Sequence, residues 1–184
     1  PPRSTQGVSS AASDVYKRQE YDRYSYEGYQ SFLADMPPVL EKLKAAGIRL
    51  GFHHHSLEFL RGSSGTTIFD LLIDKGGQDL AITVDVYWVA AAGANPVKLI
   101  ERLPGRIPVI HMKDMDVALK ENEFMPVSVF APVGEGNLDF RAIVQAAEEG
   151  GCQWYAVEQD SCPGNPFDSL RISFDYIRDH LIEN

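Results

Sequence analysis

Four residues with metal-binding chemistry sit at the ends of four short apolar runs. His53 ends residues 48–53, Asp85 lies near the end of residues 80–86, His111 ends residues 107–111 and Glu158 ends residues 153–158. Two carboxylates with one or two imidazoles make a mixed oxygen and nitrogen donor set. Such a set suits one divalent ion, Mn2+, Mg2+, Co2+ or Zn2+, without choosing among them. Histidine also occupies positions 54 and 55. The alternation of a strand puts His53 and His55 on one face and His54 on the other, so His53 or His55 is the ligand and His54 points outward.

Each residue taken singly has a plainer role. A strand-end aspartate commonly caps the loop that follows it, and a single histidine commonly sits hydrogen-bonded in a core. Glu158 fits that pattern less easily, because a carboxylate following Ala156 and Val157 needs a partner once buried. Four such residues in register with four strand ends argue for one shared site.

The elements that would hold them alternate along the chain. Each apolar run has strand length and is rich in β-branched or aromatic residues. Each leads through a polar or glycine-bearing loop into a helical pattern. Residues 26–46 read as helical with a break at Pro37-Pro38, and Gly47 stops the second part. Asn95-Pro96 and Asn165-Pro166 each pair a good N-cap with proline at the first helical position. In the last helix Phe167, Leu170, Phe174, Ile177 and Leu181 recur at steps of three and four, which predicts a buried stripe. Strand–helix alternation without hairpin turns predicts a parallel sheet. An open doubly wound sheet and part of a (β/α)8 barrel both satisfy it. A polar residue at the C-terminal end of every strand favours the barrel, where those ends converge.

The bulk composition narrows the partners. The 184 residues suffice for one domain, and 44% hydrophobic with 23% charged residues is ordinary globular composition. The net charge of −9 argues against nucleic acid and anionic membrane surfaces. No apolar run approaches the roughly 20 residues that span a bilayer. Cys152 and Cys162 have no zinc-knuckle spacing; Cys152 reads as a small core residue, and a reducing cytoplasm is the expected location unless an N-terminal export signal has been lost. Residues 1–19 show no periodicity, and residues 8–19 resemble a translated adapter sequence. The expectation is a disordered, non-native tail, with native sequence starting near Glu20.

The motifs in order are LGFHHHSLEF, VDVYWVAAAGANP, IPVIHMKD, VGEGNLDF and WYAVEQD. They resemble the fifth-strand, sixth-strand, seventh-strand, pre-helix-seven and eighth-strand motifs of sugar phosphate isomerase/epimerase proteins, a branch of the xylose isomerase-like barrels. The resemblance runs from about Tyr24 to the C-terminus. It implies that residues 20–184 form the C-terminal half of a (β/α)8 barrel, strands five to eight with their helices. It also implies one divalent metal on Asp85, His111 and Glu158, with His53 where the epimerases carry a glutamate. In those epimerases two glutamates face each other across the sugar, so the two-glutamate exchange lacks its first member here. Glu58, just past the strand, stands in for it, contacts substrate or caps the next turn. By the same resemblance Trp88 forms a sugar-facing wall, and Lys113 and His55 contact substrate.

The chemistry expected is enolisation of a small sugar ketone, with Glu158 or a histidine such as His53 moving the proton. Isomerisation or epimerisation is the leading outcome, and lyase or hydratase action through the same enolate is the alternative. Apurinic endonucleases of the same superfamily carry more histidines and basic loops, which this acidic chain lacks. A half-barrel would expose both edge strands, which favours pairing into a homo-oligomer and leaves activity to the full-length parent.

Overall fold

A computed structural model describes residues 21–121 and 124–182. The expectation for residues 1–19 lies outside them. The described residues divide into two compact units, one ending at Ile82 and the other starting at Thr83.

The first unit opens with two short helices. α1 (Tyr26–Asp35) is capped by Ser25, whose side chain accepts from the Gly28 N–H. α2 (Pro37–Ala45) restarts at the prolines, where the missing N–H costs nothing in a first turn. Gly47, at φ 70°, ends it in the left-handed region that glycine tolerates best. Strand β1 (Leu50–His53) follows, then a 3-10 turn at Ser56–Phe59. α3 (Ile68–Gly76) is capped by Thr67, which accepts from Asp70. Its core joins Tyr29 and Leu33 of α1 to Ile68, Leu71, Leu72 and Leu80, with Leu40, Leu50 and Phe52 packed against them. β2 (Leu80–Asp85) starts in this unit and neighbours β1.

In the second unit Asp85 caps α4 (Val86–Ala91) and Asn95 caps α5 (Pro96–Glu101). β3 (Val109–Met112) pairs in parallel with β2, and β6 (Trp154–Val157) pairs in parallel with β3. Between β3 and β6 lie strands β4 (Asp114–Ala118) and β5 (Val127–Ala131), then α6 (Phe140–Glu149). α7 (Pro166–His180) follows β6 and is capped by Asn165. The four apolar runs are thus strands of an α/β fold with a parallel sheet, each a residue or two shorter than the pattern predicts. No helix of the described residues is long and apolar enough to cross a membrane.

Two expectations are corrected. β4 and β5 form an antiparallel hairpin, Asp114 opposite Ala131 and Ala118 opposite Val127, where none was expected. Its first strand mixes Asp114, Asp116 and Val117, and no short glycine turn announces it. The apolar stripe of α7 is also not a buried one among the described residues: Phe167 is 75% exposed and Phe174 60%, while Ser173 is 2% exposed. Periodicity identifies a helix with an apolar face; it does not supply the surface that covers that face.

The hairpin is tied to the glycine-bearing loop that follows it by Asp114, which has no exposed surface. Its carboxylate accepts from the N–H groups of Met115 at 2.7 Å, Gly134 at 2.9 Å, Gly136 at 3.0 Å and Leu138 at 3.2 Å. A Cβ on Gly136 would stand 2.4 Å from Asp114 Oδ1, so that loop needs glycine to wrap the carboxylate. Replacing Asp114 with alanine strands four donors in one step. Hydrogen bonds to a buried charge are worth about 1.5–3 kcal/mol each, though not additively, so the loss of stability should exceed about 3 kcal/mol. Urea denaturation of Asp114→Ala against wild type measures it; a shift under about 1 kcal/mol would show that water replaces the carboxylate freely.

Candidate metal and acid–base site

Strand register places Asp85, His111 and Glu158, three of the expected ligands, at neighbouring strand ends. Asp85 lies opposite His111 across the β2–β3 pair, and His111 opposite Ala156 across β3–β6. The Glu158 N–H donates to the Met112 carbonyl at 3.1 Å, continuing that ladder one residue past the strand. The side chains of Asp85, His111 and Glu158 therefore leave neighbouring strands at the same level.

Asp85 is fully buried and serves two purposes. Oδ1 accepts from the Trp88 N–H at 3.3 Å and caps α4. Oδ2 lies 3.9 Å from His111 Nδ1 and 2.9 Å from Lys113 Nζ. Glu158 Oε2 is 3.0 Å from His111 Nδ1 and 3.2 Å from Lys113 Nζ. Asp160, two residues further on, holds Lys113 Nζ at 2.8 Å. Lys113 is only 2% exposed. Burial works against its charge, but the hydrogen bond to Asp160, the fields of Asp85 and Glu158 and the hydrogen bond to Asp85 outweigh it. The ammonium is held above the ordinary lysine range. Glu158 is pulled the other way: the hydrogen bond with His111, against opposing burial and helped by Lys113, brings its carboxyl down to about 2.

Lys113 thus bridges Asp85, Glu158 and Asp160. Its alternative partner, Asp114, is committed to the backbone of the glycine loop. The arrangement suits a divalent ion: two carboxylate oxygens and an imidazole nitrogen converge, and the carboxylates outnumber the one ammonium that neutralises them.

The remaining expected residues lie in the first unit or on the rim. His53 ends β1, and its ring stands 4.8 Å from that of His55. His54, expected to point outward, instead points into packing. It is fully buried, edge-on to Phe69 at 5.0 Å and Phe59 at 5.7 Å. Glu58 is 3% exposed; it accepts from the Tyr29 hydroxyl and, at 2.7 Å, from the His55 N–H, closing a capping box in which His55 is the N-cap of the 3-10 turn. Trp88 packs against Tyr87 with centroids 4.9 Å apart. Asp160 and Phe130 join the cluster without having been singled out in the sequence. Strand alternation from Glu158 marks Asp160, but nothing local marks Phe130, which arrives on the unexpected hairpin.

A parallel α/β fold with acidic and imidazole side chains at neighbouring strand ends defines the class, an α/β scaffold that gathers polar side chains at its strand ends. Residues 8–180 match the xylose isomerase-like TIM barrel family, and the chain belongs to it. It is 29% identical over 159 residues to the rhizopine catabolism protein MocC of Rhizobium meliloti, covering 81% of this chain and 47% of that protein. It is 26% identical over 141 residues to an inosose dehydratase of Lacticaseibacillus casei, covering 70% and 46%. Among solved structures, a sugar phosphate isomerase/epimerase from Parabacteroides distasonis matches with a TM-score of 0.70 and 25% identity, over 85% of this chain and 54% of that one. The chain spans about half the length of these curated relatives.

The Glu158 environment makes a pH prediction. Its folded value of about 2 lies below its ordinary 4.5, so its ionised form stabilises the fold fully above about 4.5. That contribution disappears as pH falls from 4.5 towards 2. Urea stability of wild type and Glu158→Gln should differ by a constant amount near neutrality and converge on acidification. A gap that stays constant into acid would mean that Glu158 is not held by His111 and Lys113.

Proposed function

We propose that the intact protein enolises a small polyhydroxylated ketone with the help of one divalent ion. β1, β2, β3 and β6 would be the fifth to eighth strands of its barrel. The observation that carries this reading is that His111 Nδ1 lies 3.9 Å from Asp85 Oδ2 and 3.0 Å from Glu158 Oε2, while Lys113 Nζ reaches both carboxylates. Asp85, His111 and Glu158 would hold the ion, with His53 or His55 as the fourth ligand by the resemblance of the first histidine motif. When bound, the ion supplies a Lewis acid that acidifies the C–H beside a carbonyl.

Glu158 takes that proton. A carboxylate held near 2 is a weak base, so it works only on a C–H already acidified. Lys113, fixed by Asp160, keeps positive charge beside the oxygen on which negative charge grows. The proton then returns to one of two places. Given to the β-hydroxyl, it completes loss of water, and one carboxyl suffices for both transfers. Returned to carbon from the opposite face, it would need a second group where His53 replaces the family's glutamate. Dehydration is the first reading, supported by the likeness to inosose dehydratases; the missing second group counts against epimerisation, not against isomerisation. Isomerisation or epimerisation is the second, supported by the likeness to the Parabacteroides distasonis protein.

Elemental analysis of the intact protein should find one divalent ion per chain, and His111→Ala should lose most of it. Equal metal content would place His111 in the core alone. With a panel of cyclic and open-chain ketones in deuterated water, Glu158→Gln should slow α-proton exchange by about 10²–10⁴-fold by NMR. An unsaturated or dehydrated product supports the first reading, and a deuterated isomer the second. Exchange at the wild-type rate would pass the role of base to His53, His55 or Glu58.

A further inference from the structure

Lys113 and the proposed ion make claims on the same atoms. Nζ of Lys113 lies 2.9 Å from Asp85 Oδ2 and 3.2 Å from Glu158 Oε2. Those are also the two oxygens that face His111 Nδ1, at 3.9 Å and 3.0 Å. An ammonium and a divalent ion on one pair of oxygens are like charges at close range, where little water screens them. Lys113 is only 2% exposed, and Asp85 not at all. Binding of the ion therefore requires that the ammonium give up these two contacts and keep its charge elsewhere.

Asp160 is the partner that allows this. It holds Nζ at 2.8 Å, closer than the other two carboxylates do, and it lies outside the proposed ligand set. Two residues beyond Glu158 it is exposed, so its own charge costs little to keep. Burial opposes the charge of Lys113, and among the contacts that maintain it the hydrogen bond to Asp160 contributes most. The rings of Trp88 and Phe130, with centres 5.8 Å and 5.9 Å from Nζ, add faces that attract a cation. A lysine stem is flexible enough to shift between neighbouring carboxylates by rotating about its own bonds.

We propose that Lys113 is an internal competitor for the divalent ion, and that Asp160 is the positioning residue that draws its ammonium off Asp85 and Glu158. The inference rests on the metal part of the proposed function and not on the proton transfer. Asp160 thereby sets the affinity for the ion through Lys113, from outside the ligand set.

The test is titration of the chelator-stripped intact protein with Mn2+, with free ion read by electron paramagnetic resonance. Lys113→Met removes the competitor and should tighten Mn2+ binding by about tenfold or more. Asp160→Asn leaves the ammonium to Asp85 and Glu158 and should weaken binding about tenfold. Asp160→Glu keeps the charge and should restore most of it. A direct attraction between Asp160 and the ion would also weaken binding in Asp160→Asn, so the two positions are read as a double-mutant cycle. In the Lys113→Met background, Asp160→Asn should change Mn2+ affinity by less than about twofold. Lys113→Gln supplies a second uncharged background, and circular dichroism of each stripped variant checks that it is folded.

An equal effect of Asp160→Asn in both backgrounds, weaker binding by Lys113→Met, or wild-type affinity in Asp160→Asn would overturn the proposal and leave the metal reading standing. No Mn2+ on any of these proteins removes the metal reading, and the competition with it. The predicted cycle without any α-proton exchange removes the enolisation and supports the competition.

Discussion

A buried ammonium holds the second unit's site together. Lys113 is almost wholly removed from water, and an isolated charge in that position would be expelled or neutralised. It remains charged because three carboxylates from the ends of two strands reach it at 2.8–3.2 Å. The same contacts discharge the mutual repulsion of Asp85, Glu158 and Asp160. None of these groups would be comfortable without the others. Breaking a buried ion cluster costs more than forming it gains, so the arrangement is better understood as a constraint on geometry than as a source of net stability.

That constraint is met by four consecutive residues of one strand end. His111 and Lys113 fall on one face by alternation and address the carboxylates, while Met112 and Asp114 fall on the other. Met112 is buried. Asp114 gathers the N–H groups of the glycine loop and anchors the hairpin beside the site. The hairpin in turn carries Phe130 to the aromatic pair Tyr87 and Trp88. A short motif thus organises an imidazole, a buried ammonium and the hairpin that carries Phe130, each through a different side chain.

The family of barrels to which the chain belongs uses strand ends as its working surface. Within that plan, the proposed function makes the cluster on β2, β3 and β6 an acidifying site with a single glutamate base. Its low Glu158 value shows how much the environment favours a carboxylate ready to accept charge-assisted bonds. Such a group serves as a ligand first and as a base only towards a strongly activated C–H.

Much of this was legible locally. Asn95 and Asn165 cap their helices as their pairing with proline announces. Asp85, His111 and Glu158 could be placed at one level because apolar runs of similar length bring their ends into register. These are properties of neighbouring residues, and short-range sterics and hydrophobic periodicity encode them directly. Other features depend on segments distant in sequence. The partners of Lys113 come from Asp85, Glu158 and Asp160, and nothing near position 113 selects them over the adjacent Asp114. His54 enters a core whose rings come from Phe59 and Phe69. The hairpin hides in residues of mixed polarity because its pairing is antiparallel and its faces are not uniformly apolar. Phe130 and the exposure of the α7 stripe follow from which surfaces are covered. The sequence by itself determined the elements and the residue each delivers at its end; the tertiary structure decided which charges pair and which rings meet, because those outcomes depend on through-space distance and on burial.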